Sequence, residues 1–162
     1  MPLTPAQLAT LKADILADST LNANPNTPDG NQAIADAYNA LAAPTWTVWK
    51  TNVSINEVGK KFNGAELAGL TTGNQTRLQT VAAYLAGGVN PSLLDNRQFF
   101  DDIFSGAGGV TTRANLLALW KRSSLRAEKL YSTGTGSVAA PATMTFEGTV
   151  SYIEVTNARN LP

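Results

Sequence analysis

The stretch Thr111–Tyr131, TTRANLLALWKRSSLRAEKLY, decides how the chain is read. Leu116, Leu117, Trp120, Ser124, Ala127 and Tyr131 fall largely at three- and four-residue spacing, which gathers side chains on one face of a helix with 3.6 residues per turn. A threonine pair can cap the start, and Gly134 past the last periodic residue can stop the helix. The spacing therefore predicts one uninterrupted amphipathic helix, the longest in the chain.

The same stretch concentrates charge. From Arg113 to Lys129 there are five basic residues and one acid, a local net of +4, whereas residues 1–112 carry six basic and nine acidic residues. Arg126 and Lys129 lie toward the predicted helix end, where cations meet the negative pole of the backbone dipole. Arg122 and Arg126 are an i,i+4 pair with no acid four positions before Arg122, suited to phosphate or to a partner's carboxylate. The bland alternative is a stable helix with a solvated basic side.

Composition narrows the function classes. At 162 residues and 43% hydrophobic content the chain can bury one sizeable core. Twelve basic and twelve acidic residues argue against the broad positive field of a nonspecific nucleic-acid binder. Charged residues make up 15%, below the ~25% usual for a free globular domain, which suggests either an outside covered by other chains or solubility supplied by Asn, Thr and Ser. The opening MPLTPAQL has no basic region followed by an apolar run, so it does not read as a secretory signal, and no segment is apolar for the length of a bilayer crossing. A soluble protein without membrane partners is expected.

Outward from the central stretch, Thr4-Pro5-Ala6-Gln7 has the form of a capping box with proline in the first turn, which starts a helix over about 5–17 with Leu8, Leu11, Ile15 and Leu16 inward. Residues 18–30, with two prolines and a Pro-Asp-Gly signal, read as a loop. A second helix is predicted over 31–42 with Ile34, Ala37, Tyr38 and Leu41 inward, ended by Pro44. Thr45–Trp49 alternates like a strand, while Trp46 and Trp49 also fit one helical turn, and the stretch is too short to separate the two. Ser54-Ile55-Asn56-Glu57 repeats the capping box before a short helix to Phe62, and Glu66–Leu70 can add a turn. A helix over 73–86 presents Leu78, Val81, Tyr84 and Leu85, and another from Asn90-Pro91 carries Leu93, Leu94, Phe99, Phe100, Ile103 and Phe104. Short amphipathic helices of this kind are stable only when packed together.

The C-terminal part alternates with period two. Met144, Phe146, Gly148, Val150 and Tyr152 fall on one strand face, with Thr143, Thr145, Glu147, Thr149 and Ser151 on the other. Such a strand must pair with itself, with the Trp46 region or with another subunit, since its backbone groups need partners. The expected fold is mainly α, a compact multi-helix bundle with a C-terminal β-strand or hairpin arm. Residues 1–131 would be the body, 132–142 a flexible linker and 143–162 the assembly arm. Arg122, Arg126, Lys129, Met144, Phe146, Val150 and Tyr152 are the candidate interface.

Neither histidine nor cysteine occurs, which removes Ser-His and Cys-His nucleophiles and the ordinary zinc sites. Asp101-Asp102 diverge by about 100° on a helix. Asp95 and Asp102 share a face at a spacing common on solvated helices. Gly106–Gly109 lacks a following Gly-Lys-Ser/Thr, and the Asp18–Asp29 loop lacks the closing bidentate carboxylate of a calcium loop. No catalytic residue, cofactor or metal is assigned. Trp46, Trp49, Trp120 and Tyr131 are read as packing residues.

Ala127-Glu128-Lys129-Leu130-Tyr131-Ser132-Thr133-Gly134-Thr135-Gly136, with Pro141-Ala142-Thr143-Met144-Thr145-Phe146-Glu147-Gly148, resembles a family of small structural proteins of tailed bacteriophages. The opening LTPAQLATLKADILAD and the Trp46–Ile55 section add to the resemblance. By design the chain is similar to head-to-tail adaptors. The resemblance implies a virion protein assembled in the host bacterial cytoplasm, a homo-oligomeric ring between the portal and the neck or tail proteins. Passive contact with genome DNA in the channel is compatible with it. A tail or capsid-decoration protein is the neighbouring alternative, and a small DNA-binding regulator is the alternative from a different class.

Overall fold

The computed structural model describes residues 2–162; Met1 lies outside the described residues, as does the side chain of Tyr84, so its predicted inward placement is not addressed. In chain order the elements are α1 (Pro5–Ala17), α2 (Ser19–Asn22), α3 (Pro28–Asn39), β1 (Thr47–Trp49), α4 (Ile55–Gly59), α5 (Gly64–Ala68), α6 (Thr72–Tyr84) and α7 (Leu94–Ile103). A 3-10 turn (Ala107–Gly109) leads into α8 (Val110–Leu119), followed by β2 (Lys121–Ser123), α9 (Arg126–Leu130), β3 (Ser132–Thr133), β4 (Thr143–Met144) and α10 (Tyr152–Arg159). The fold is mainly α, with β1 paired to β2 and β3 paired to β4 as two-stranded sheets. No helix among the described residues is long and apolar enough to cross a membrane.

The chain divides into two compact units, 1–47 with 123–162, and 48–122. This differs from the expected body, linker and arm, because the C-terminal forty residues are built into the same unit as the N-terminal helices. The predicted long helix also divides. It stops at Leu119, the chain runs extended through Lys121–Ser123, and a new short helix starts at Arg126. The cause is pairing at long range: Lys50 N–H donates to the Trp120 carbonyl at 2.8 Å, and Ser124 N–H donates to the Trp46 carbonyl at 2.9 Å. Backbone groups that a helix would satisfy locally are satisfied by the strand around Trp46 instead. Apart from the exposed Leu117 the stripe remains buried, at 1% exposure for Leu116, 2% for Trp120 and 0% for Ser124 and Ala127, but its two halves enter two different units.

In the first unit, α1, α3 and α10 pack around Leu11, Ile15, Ile34, Tyr38, Val155 and Ala158, joined by Ala127, Tyr131, Phe146 and Val150. Helix α1 starts as its capping box predicts, with Gln7 N–H donating to Thr4 Oγ1 and Thr4 N–H to Gln7 Oε1. Helix α3 starts at Pro28, three residues before the expected boundary, because Thr27 caps it and Pro28 occupies the first turn. Gly30 is required by close approach: a Cβ there would lie 2.1 Å from the Pro25 carbonyl oxygen. The helix ends at Asn39, so Leu41 leaves the inward stripe and stands 68% exposed, contrary to its expected burial.

The expected ten-residue strand is a two-residue one. Beta strand β4 pairs antiparallel with β3, Ser132 opposite Met144 and Thr133 opposite Thr143. Beyond it the chain bends at Thr145 and Gly148, yet the alternation of buried and exposed side chains persists as far as Val150, and its donors go elsewhere: Thr145 N–H to the Tyr131 carbonyl, Gly148 N–H to Glu128 Oε1 and Val150 N–H to Asn39 Oδ1. Then Ser151 and Glu154 form a capping box and α10 begins where a strand was expected to continue. Residues 132–142 form an anchored hairpin connection, with Thr47 N–H donating to the Gly136 carbonyl and Ala142 N–H to the Thr47 carbonyl.

The second unit has its own core of Val53, Val58, Val89, Phe100, Ile103, Phe104, Leu116 and Trp120. Phe100 is central: its ring lies 5.3 Å from Phe99 and 5.6 Å from Trp120, both edge-on. Trp49 and Phe62 pack against this cluster.

Candidate interaction surfaces

A groove of about 760 Å³ opens in the first unit between α1, the residues after α3 and α9. Asp14 on α1 and Asp18, which caps the end of α1, both face Arg126, whose Nη2 lies 3.2 Å from Asp14 Oδ2 and 2.9 Å from Asp18 Oδ2. Tyr38 OH donates to Asp14 Oδ2 at 2.5 Å, and the Arg126 guanidinium stands 4.9 Å above the Tyr38 ring. Burial first, then the neighbouring Asp14, pushes the Tyr38 phenol well above its ordinary range. The hydrogen bond from Arg126, reinforced by the Leu21 N–H, holds the Asp18 carboxyl below its own. Arg126 is thus tied into the fold of its own unit.

Lys129, three residues further on, is placed differently. Its ammonium lies 5.2 Å from the centroid of the Trp46 ring, which orients it without neutralising it. Trp46 is itself fixed by an N–H bond to Ser132 Oγ at 2.9 Å. Arg126, Lys129 and the exposed Leu41 all line this groove.

The other predicted interface residues are elsewhere. Arg122 is half-buried in β2 and belongs to the second unit. Met144, Phe146 and Val150 are 8, 8 and 1% exposed, so they are not the open strand face expected of an arm; Phe146 packs edge-on against Tyr131 at 5.4 Å. Tyr152 is 43% exposed at the start of α10, beside the exposed Ile153.

A second groove, of about 610 Å³, runs between α7 and α8 in the second unit. Val110, Ala114 and Leu117 follow i, i+4, i+7 spacing along the outer side of α8, while Thr112 and Leu116 fill its inner side. Leu94 of α7 completes the apolar wall, and Leu94, Val110 and Leu117 are each exposed although large and apolar. Both arginines that line the groove are occupied. Arg97 stacks 4.0 Å from the Trp49 ring centroid and donates to the Pro91 carbonyl; Arg113 donates to the carbonyls of Phe104 and Gly106, closing the end of α7. Burial pushes the Asp101 carboxyl above the usual range, with Arg113 and Arg97 pulling against that shift and Asp102 adding to it. Sequence periodicity passes over this surface because it places Leu94 and Leu117 with the inward apolar residues; the available signal is that α8 carries more apolar residues than one face can bury.

Among the described residues no group of three or more acidic, histidine or cysteine side chains is placed to hold a metal ion. What the two grooves offer chemically is apolar area edged by charge, the makeup of a protein contact. Compared with protein-family models, with curated proteins and with solved structures, the chain has no match.

Proposed function

We propose that this chain is a non-enzymatic structural subunit of a tailed-phage particle, a head-to-tail connector whose copies form a ring between the portal and the neck or tail proteins, assembled in the host bacterial cytoplasm. The observation that carries the reading is the exposure of large apolar side chains on surfaces shaped to receive protein: Leu41 at 68% in one unit, and Leu94 and Val110 at 55 and 54% in the other, in a chain with 15% charged residues. Clustered exposure of this kind belongs to interaction surfaces. The resemblance of its N-terminal, central and C-terminal sequences to small phage structural proteins supplies the setting.

The DNA-binding alternative loses support from Arg126, whose charge is already met by Asp14 and Asp18. The deciding experiment is the chain's position in an intact particle, by density or by an antibody label. Copies in a ring under the portal are expected. Copies along the tail tube or on the shell would replace the connector reading with the tail or decoration one, and a protein absent from particles that binds duplex DNA with steep salt dependence would replace both.

A further inference from the structure

The polar and ring contacts that tie helix α6 to the rest of its unit lie in its first half. Asn74 Nδ2 donates to the Ile103 carbonyl at 3.0 Å, and the Arg77 guanidinium stands 5.5 Å from the centroid of the Phe99 ring. None of the described side chains of α6 is buried, although Leu78 on it and Leu85 at its end pack against the aromatic core. The second half lies over a void. A cavity of about 90 Å³ separates it from α4 and that core, with Leu78, Val81 and Leu85 on one side, Ile55 and Phe62 on another, and the buried Phe100 deepest among its lining residues. Gly59 and Ala82, both exposed, leave its mouth open; a Cβ on Gly59 would have nothing within 4 Å. No polar side chain lines the cavity, so a water molecule inside would give up hydrogen bonds without replacing them.

We propose that this cavity is a binding site for one compact apolar molecule, of the size of xenon or a short branched alkane. The lining selects the class. It offers only dispersion contacts and release from water, so a guest carrying a charge or a hydrogen-bonding group loses hydration and recovers nothing. Volume selects the size: an apolar cavity of about 150 Å³ stays dry and takes up benzene or xenon, and this one, at about 90 Å³, is too small for a substituted ring. The guest completes the packing that the second half of α6 lacks, touching Leu78, Val81 and Leu85 from one side and Phe100 from the other. Occupancy is thereby tied to the order of that half-helix, and the mouth at Gly59 and Ala82 gives entry without unfolding. The site is independent of the assembly reading and stands whether or not copies form a ring.

Xenon is the probe. In NMR of the full chain with labelled methyl groups under rising xenon pressure, Ile55, Leu78, Val81 and Leu85 are expected to shift and saturate. The exposed Leu93 and Val138 are expected to respond only in proportion to pressure. A proportional response everywhere, or saturation confined to methyl groups outside the cavity, overturns the proposal. At a xenon concentration of twice its dissociation constant, amide exchange of residues 81–85 should slow about threefold, because opening must first release the guest; unchanged exchange while the methyl groups shift rejects the link to α6. Ala82→Leu puts a side chain into the mouth, and it is expected to melt no lower than wild type and to lose the saturable shifts. A folded Ala82→Leu chain that saturates as wild type does counts against the site, and a variant that melts lower leaves the wild-type titration to decide.

Discussion

Glu66 closes the start of α8 from another helix, its Oε2 accepting the Thr112 backbone N–H at 2.7 Å while Oε1 accepts that of Thr111 at 2.8 Å. Helix α8 follows Gly109 and has no side-chain cap of its own, so its first free N–H groups would otherwise be unmet. Thr112 returns the contact by accepting the Asn63 N–H, which ties α5 to α8.

This cap fixes a pH dependence. Desolvation pushes the Glu66 carboxyl up, but hydrogen bonds from the Thr112 side chain and backbone and from Thr111 outweigh it and hold the group at about 2. A folded value below the unfolded one adds stability that is complete above the ordinary glutamate range and disappears as pH falls toward 2. Glu66→Gln is expected to lower the melting temperature by a few degrees at neutral pH. The gap to wild type should shrink between about pH 4.5 and 2, as followed by circular dichroism. A gap independent of pH would show that the charge of Glu66 is not what α8 uses.

Arg126 and Lys129 should behave oppositely when reversed. Arg126→Glu places a third carboxylate against Asp14 and Asp18 and removes the cation above Tyr38, so the variant chain should melt several degrees lower as a monomer. Lys129→Glu breaks only a contact with Trp46 and should change monomer melting by less than about 2 °C. Melting curves at concentrations below self-association measure both, and equal losses would contradict this assignment of roles.

Glu128 is 2% exposed and accepts the backbone N–H groups of Leu125 and Gly148, fastening the extended C-terminal segment to α9. Glu128→Ala leaves those half-buried donors without their carboxylate and should cost about 1–3 kcal/mol by urea denaturation. Amide exchange should rise first at Gly148 and its neighbours. Unchanged protection there would mean that the segment is held by its apolar side chains alone.

Two glycines should respond in opposite directions. Gly136 has φ +63°, and a Cβ on it would lie 2.1 Å from the Trp46 ring, so Gly136→Ala should cost about 2 kcal/mol or more. Gly73, in α6, has nothing within 4 Å of the same position, and Gly73→Ala should add about 0.5 kcal/mol through helix propensity and a less flexible unfolded chain. Denaturant midpoints of the two variants on opposite sides of wild type are the expected result.

What was legible beforehand was legible because its cause is local. Thr4 with Gln7 and Ser54 with Glu57 form the capping boxes their spacing announces, since a cap needs only residues three apart. Ser151 with Glu154 carries the same signature, and a period-two reading of the segment passes over it. That alternation was itself correct for Met144, Phe146 and Val150, but it failed at Tyr152, which opens α10 and is exposed. The stripe from Leu116 to Tyr131 likewise identified buried residues apart from Leu117.

Sequence alone determined the mainly helical character, most helix starts and much of the burial pattern, because caps, prolines and apolar spacing act between near neighbours. Tertiary structure decided where the long stripe breaks, since the Trp46 and Lys50 backbone draws Trp120 and Ser124 out of a helix from seventy or more residues away. It also decided how the charges are used: Arg126 is met by Asp14 and Asp18 across more than a hundred residues, while the Lys129 ammonium stands against the Trp46 ring. Neither outcome follows from local spacing, because each depends on which distant backbone or side chain arrives first to satisfy a group that cannot be left bare.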